Sequence, residues 1–358
     1  MGGTWGEVLT RARRWSDGRM PALVLGALLL LSLWGPLSGR LFYLRDVSQN
    51  HYPIRHYVTD RLLAGDLPLW DPLHGGGTPL LANPNHLVFH PITALFFVLP
   101  FDAAFTASIV LQIALLALGG YLLARRIGAS REGATLAGAI LSLSGPAASL
   151  ASLQNVLSAF AWVPLGLWLF LRGIERAGRA SLAGAAAVLA VVLIAAEPAS
   201  ALAFVLLAPI LALTAGRNSH GEGRRVRAVL LALVAVMGVA CLIAAVQILP
   251  ARELLPLSTR GAGFTPQEGL KWSLQPFRML EIVLPRLLGD PTRLHPASWW
   301  GGWLFEGRYP FLLSVYAGAI PCCLALLAMF GSGRWEGRRR ALGAVAVLGL
   351  LLALGGNG

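Results

Sequence analysis

Nine apolar runs divide the chain, at about 21–37, 103–124, 133–150, 156–171, 181–196, 198–215, 228–249, 311–330 and 341–355. At about 1.5 Å per residue, 17 to 22 residues reach roughly 26 to 33 Å, enough for the hydrocarbon core of a bilayer. No backbone group can be left unpaired in lipid, so such runs are expected to be helices. The expected fold class is therefore all-α: a polytopic transmembrane protein of about nine spans. A cytoplasmic N-terminus (1–20) would precede a single membrane domain over 21–358. The composition agrees, since only 13% of the 358 residues are charged, against about 25% in soluble domains.

The net charge is +12, which in a soluble chain would suggest nucleic acid. Here Lys and Arg sit mostly between apolar runs, where they set topology. Membrane lipid is the expected partner, and nucleic acid is not. Cys241, Cys322 and Cys323 lie within apolar runs and read as small core residues. Arg11, Arg13 and Arg14 precede the first run and no small-residue cleavage site follows it, so that run reads as a retained span.

Every second connection is short and basic: "ARRIGASRE", "RGIERAGR", "GRNSHGEGRRVR" and "GSGRWEGRRR". This puts the N-terminus in the cytoplasm and two large loops, the first (38–102) and fourth (250–310), outside. The parity requires that 87–100, about 14 residues, does not cross; it reads as an interfacial or re-entrant helix. The outer loops hold six of the seven histidines and Trp299, Trp300 and Trp303. The tryptophans fit a belt at the lipid–water boundary.

In the first loop, Ile54, Tyr57, Val58 and Leu62 recur at helical spacing, with Arg55, Thr59 and Asp60 on the other face. Pro53 and Gly65 suit the two ends of a juxtamembrane amphipathic helix. The following stretch carries Pro68, Pro72, Pro79 and Pro84 with Gly75, Gly76 and Gly77. Long ordered loops of this kind are more often binding loops than linkers. The three glycines fit either a plain turn or a backbone approach to an anion.

Before that helix stands "FYLRDVSQNHYP" (42–53), a polar cluster directly behind the first span. The block "RDVSQNHYPIRHYVTDRLLAGDLPLWDPLHGGGTPLLANPNHLVFHP" resembles the first outer loop of the YfhO-like bacterial membrane proteins, grouped with the GT-C glycosyltransferases. "VQILPARELLPLSTRG" (246–261) and "LPRLLGDP" (284–291) fit the same family. Members are usually longer, so the chain looks like the N-terminal portion of one.

The resemblance implies a GT-C type glycosyltransferase in the bacterial cytoplasmic membrane. Such an enzyme moves a sugar from a polyprenyl-phosphate donor to a cell-envelope acceptor. It implies Asp46 as the catalytic carboxylate, which would take the proton of an attacking hydroxyl. Arg45, Arg55 and Arg260 would meet the lipid phosphate. Gln49 and Asn50 would hold sugar hydroxyls or orient Asp46, with Tyr52 alongside. Asp46 beside Arg45 also fits a solvated charge pair in the headgroups.

Some GT-C enzymes use a divalent metal with paired acids. Here Val47 and Ser48 follow Asp46, and His51, His56, His74, His86 and His90 form no compact ligand motif, so no metal or other cofactor is expected. Glu197 lies between two apolar runs, as a functional acid near lipid or as a residue of a tight hairpin with Pro198. Gln247 reads as a substrate-side group or a helix–helix hydrogen bond. The rivals are a transporter or flippase for a lipid-linked sugar or other envelope lipid, and a non-catalytic scaffold.

Overall fold

A computed structural model of the chain describes residues 20–176, 178–214, 222–293, 298–305, 309–330 and 336–357. The expected cytoplasmic segment 1–20 lies outside the described residues but for Met20, as do His295 and much of the two basic connections after 215 and 331.

Most of the described residues are helical, and the sheet among them is a single two-stranded pairing. α1 (Met20–Ser32) and a turn of helix, α2 (Trp34–Leu37), lead into the first long loop, which holds α3 (Tyr52–Leu63). α4 (Phe101–Arg126), α5 (Arg131–Leu143), α6 (Gly145–Leu150), α7 (Gln154–Phe160) and α8 (Val163–Arg176) follow. Then come α9 (Arg179–Ile194), α10 (Pro198–Thr214) and α11 (Glu222–Leu254). After a second long loop with the short α12 (Pro266–Leu270) come α13 (Ala319–Phe330) and α14 (Glu336–Leu354).

Three stretches are long and apolar enough to cross a membrane: Phe101–Arg126, Gln154–Arg176 and Gly223–Leu257. Shorter apolar helices occupy Pro21–Ser32, Arg179–Ile194, Pro198–Thr214 and Ala319–Phe330. α11 exposes Leu230, Leu231, Val234, Leu242, Ile243 and Leu249, and α13 exposes Ile320, Leu327 and Phe330. A soluble monomer rarely shows apolar faces of that extent; lipid explains them.

Two expected runs differ from single helices. The 133–150 run breaks at Ser144, whose extended backbone (φ −65°, ψ 157°) ends α5 and caps α6. The 311–330 run is helical only from Ala319. Residues 309–318 form a non-helical strap instead. The 87–100 stretch holds seven residues of 3₁₀ helix, Pro91–Phe97, which at about 2 Å per residue is too short to cross.

The main core lies among α8, α9, α10 and α11, around Phe170, Leu189, Phe204, Leu211 and Ala240. A second cluster joins α4, α6 and α7 to the first loop: Phe105, Ile109, Leu150 and Leu157 pack with Val47 and Phe96. α4 and α5 approach closely because their contact is small. A Cβ on Gly138 would stand 2.6 Å from the Ala117 carbonyl oxygen. Close backbone approach through small residues is how helices associate without a hydrophobic driving force. Gly138→Val should therefore lower the thermal midpoint, by about 1–3 kcal/mol of stability. Gly26→Ala, where a Cβ meets nothing within 4 Å, should leave it unchanged or raise it. Equal midpoints for Gly138→Val and wild type would refute the tight α4–α5 crossing.

Candidate functional site

The strap lies between two pockets. A non-helical segment among helices must find partners for its backbone groups. Arg45 Nη1 donates to the carbonyls of Pro310 (3.2 Å) and Phe311 (2.8 Å). Arg278 Nη2 donates to those of Leu312 (2.8 Å) and Leu313 (3.3 Å). Ser149 Oγ donates to Ser314 O (3.1 Å) and accepts from Ser314 N (2.8 Å). The Gly145 N–H reaches Tyr316 O at 2.7 Å, and Ala317 and Gly318 donate to Ile282 O. Gly145 has to be glycine: a Cβ there would lie 2.7 Å from Tyr316 N. The break at Ser144 and the strap are thus one feature.

On one side of the strap is a pocket of about 620 Å³, lined by Val47, Ser149, Ser152, Glu281, Arg286, Asp290 and Tyr316, with Phe42, Leu44 and Leu313 as apolar wall. On the other side is a pocket of about 790 Å³ that includes Arg278, Lys271, Trp272 and Phe311. Both volumes suit a small-molecule or headgroup ligand.

Glu281 is structural. Its Oε2 accepts from Arg278 Nε (3.1 Å) and its Oε1 from the Leu288 N–H (3.1 Å). Burial lowers the Arg278 guanidinium, and the hydrogen bond and charge of Glu281 oppose that. Asp290 is different. Burial raises its carboxyl, but the hydroxyl and N–H of Thr292, with Arg286 and Arg293, outweigh burial and hold it below the usual range. It is an ionised carboxylate on the pocket wall. Arg286 (φ 59°) and Arg45 (φ 58°) both adopt the left-handed backbone, strain of the kind that collects at functional sites.

The residues expected to form one rim are spread over several places. Asp46 stands one residue from Val47 and two from Leu44, both in the pocket wall. It is partly buried, and its carboxylate has no hydrogen bond or ion pair among the described residues. Arg45 is spent on the strap. Gln49 is exposed. Tyr52 packs edge-on against Phe101 and Phe105, and its hydroxyl donates to Asp102 Oδ1 at 2.6 Å. That bond, with burial, raises the phenol. Glu197 caps α10, accepting from the N–H groups of Ala199 (3.3 Å) and Ser200 (2.5 Å). Arg260 is exposed and lies over the Phe264 ring. Gln247 donates from Nε2 to Leu81 O at 3.0 Å, tying α11 to the first loop.

Arg55 corrects the expected helix face. It is only 4% exposed, with Nη1 on Thr93 Oγ1 (2.9 Å) and its guanidinium over Phe96. Thr59 is buried as well. The apolar face of α3 is covered by Leu80 and Val88 of the same loop, so α3 does not simply lie on lipid. The three glycines also resolve: Gly75, Gly76 and Gly77 all have positive φ and turn a two-residue hairpin pairing Trp70 with Pro79 and Asp71 with Thr78.

Three buried histidines surround Arg55, each with a neutral tautomer set by its bonds. His86 Nδ1 donates to Leu80 O (2.9 Å) and its Nε2 accepts from Asn83. His90 Nε2 donates to Ser158 O (3.2 Å) and its Nδ1 accepts from Ile92 N. His51 Nε2 accepts from Gln154 N (3.3 Å). Burial, then the Arg55 charge, lowers His51 to about 4 and His90 to about 3; burial lowers His86 also. Among the described residues no three His, Cys, Asp or Glu side chains are grouped to hold a metal ion.

The sequence signals for the missed residues were present but local. "RMLE" spaces Arg278 and Glu281 as helical neighbours, and "LPRLLGDP" contains Arg286 and Asp290. Nothing local says that the two pairs flank the strap.

The fold and the site define a class: an α-helical protein with membrane-capable helices and a largely apolar pocket, with a few charged groups, between two long loops and the helices at Ser144. A family model described as "Family of unknown function (DUF6541)" matches residues 87–274, over half of the chain, and the chain belongs to that family. No curated protein and no solved structure matches it. The match covers the helices from α4 to α12. It leaves out Asp46 and the Glu281–Thr292 wall.

Two outcomes follow. Arg278→Met leaves Glu281 buried without its cation and two strap carbonyls without donors. It should cost roughly 3–5 kcal/mol, and Arg278→Met with Glu281→Met should recover part of that in thermal unfolding. No recovery in the double variant would refute the charge argument. Separately, each folded-state histidine pKa lies below the unfolded 6.5. Their contribution is complete above pH 6.5 and is lost as pH falls toward 4, by roughly 3 kcal/mol for a shift like that of His51. The midpoint should drop over that window, and less so in His51→Gln. A flat profile would mean that the histidines are not buried neutral.

Proposed function

We propose that the protein is a glycosyltransferase of GT-C type, using a polyprenyl-phosphate-linked sugar and an acceptor of the cell envelope. In this reading it sits in the bacterial cytoplasmic membrane with about nine spans, the N-terminus in the cytoplasm and both long loops outside. One observation carries the reading. The pocket between the two loops combines an ionised acid, Asp290, and a cation, Arg286, with an apolar wall, which suits a phosphate head on a lipid tail.

The reaction is a displacement. The acceptor hydroxyl oxygen bonds to the anomeric carbon as the bond from that carbon to the phosphate oxygen breaks. Asp46, the unpaired carboxylate beside the pocket wall, takes the hydroxyl proton. Arg286 and Arg293 meet the phosphate in place of the buried Arg55, and Asp290 holds those two arginines. No cofactor is needed for these steps.

A transporter or flippase is the second reading, favoured by one observation: helical segments interrupted at Ser144 and between α7 and α8. Transporters build their sites from such discontinuous helices.

Membranes carrying the protein, given labelled polyprenyl-phosphate sugar, should form a new glycosidic product. Asp46→Asn should reduce its rate roughly 100-fold or more, and Asp290→Asn should chiefly raise KM for the donor. Full activity in Asp46→Asn removes that residue from the base role. Label that changes leaflet without a new glycosidic bond favours the flippase.

A further inference from the structure

Arg55 is a buried cation with no counter-ion among the described residues. Its Nη1 bonds are to a hydroxyl and, at 3.4 Å, to the Leu87 carbonyl. Of the acids of the same loop, Asp60 pairs with His56, Asp66 with Arg61, Asp71 with His74 and Asp102 with Tyr52, and Asp46, though unpaired, makes no ion pair with Arg55 and does not line the cavity beside it. The three histidines beside it are neutral. An ion taken out of water without a counter-charge is strongly disfavoured.

Against Arg55 lies a small cavity, lined also by Asn50, His51, Ile54, Asn85, His86 and Gln154. Its polar lining is rich in donors and free of carboxylates. Gln154 is 3% exposed, and its Nε2 has no hydrogen-bond partner among the described residues. Asn85 Oδ1 is already taken by Asn155 Nδ2 (2.9 Å), which leaves the Asn85 amide N–H groups to the cavity. His51, accepting at Nε2, carries its proton on Nδ1. The cavity is about as small as can hold a single water molecule, so a monatomic ion enters with a slight yield of its side-chain lining, and a tetrahedral oxyanion would need far more.

We propose that this cavity binds one monatomic anion of the halide class, which neutralises Arg55 and pins the first loop to α7 at Gln154. The site is separate from the pocket assigned to chemistry, and it does not depend on that assignment. Water would fill the same space but would leave the charge of Arg55 unanswered.

The test is thermal unfolding of the purified full chain at constant ionic strength, with sodium gluconate replaced by chloride, bromide or inorganic phosphate. Chloride and bromide should raise the midpoint saturably, by about 2–4 °C, and phosphate should not. Gln154→Leu and Asn50→Leu should fold and need at least about tenfold more halide for half the rise, a loss of one anion-holding donor. Arg55→Met should abolish the response; if it does not fold, the Gln154 and Asn50 variants decide. No saturable halide effect on wild type means a water-filled cavity and overturns the proposal. So does an equal effect of phosphate, which would make the site an open oxyanion site, and so does an unaltered halide response in both Leu variants.

Discussion

A non-helical segment cannot run through a helical, largely apolar protein unless something answers its backbone, and the strap at 309–318 shows what that requires. Two arginines from different loops, one serine hydroxyl and the bare N–H of a glycine supply the donors. Gly145 gives its N–H to the strap at the helix break that Ser144 and Pro146 make. Arg278 needs Glu281 to make its burial tolerable. Arg45 reaches the strap from a left-handed backbone. The pocket exists because these compensations leave space beside them.

Much of the helical architecture was legible because it is written in local pattern. The run at 103–124 became Phe101–Arg126, that at 181–196 became Arg179–Ile194, and the first-loop helix expected over 53–64 is Tyr52–Leu63. Length, apolar content and end signals suffice for such elements. The strap was not legible. "FLLSVYAG" opens an apolar run that continues into a helix, and only bonds to residues about 35 to 265 positions away hold it out of that helix.

The site was legible in part, for the same reason. The polar cluster behind the first run does border the pocket, through Leu44 and Val47. Arg55 was misjudged because helical spacing divides α3 into two faces but does not say what covers each. Leu87, Thr93 and Phe96 fold back over the face that looked polar. Around the enclosed charge, three histidines give up theirs, so the interior of the loop carries a single positive site instead of four. That arrangement is a solution to electrostatic crowding, and the spacing of the histidines along the chain gives no hint of it.

The strap has one more property, which follows from its being a single chain thick. Leu313, Ser314 and Tyr316 face the 620 Å³ pocket, whereas Leu312 and Val315 face the 790 Å³ one. The segment is one chain thick between the two cavities, so one peptide is a party wall between two rooms. A displacement of that wall into one cavity would take volume from it and give volume to the other. Such coupling would need no moving domain and no relay of charges.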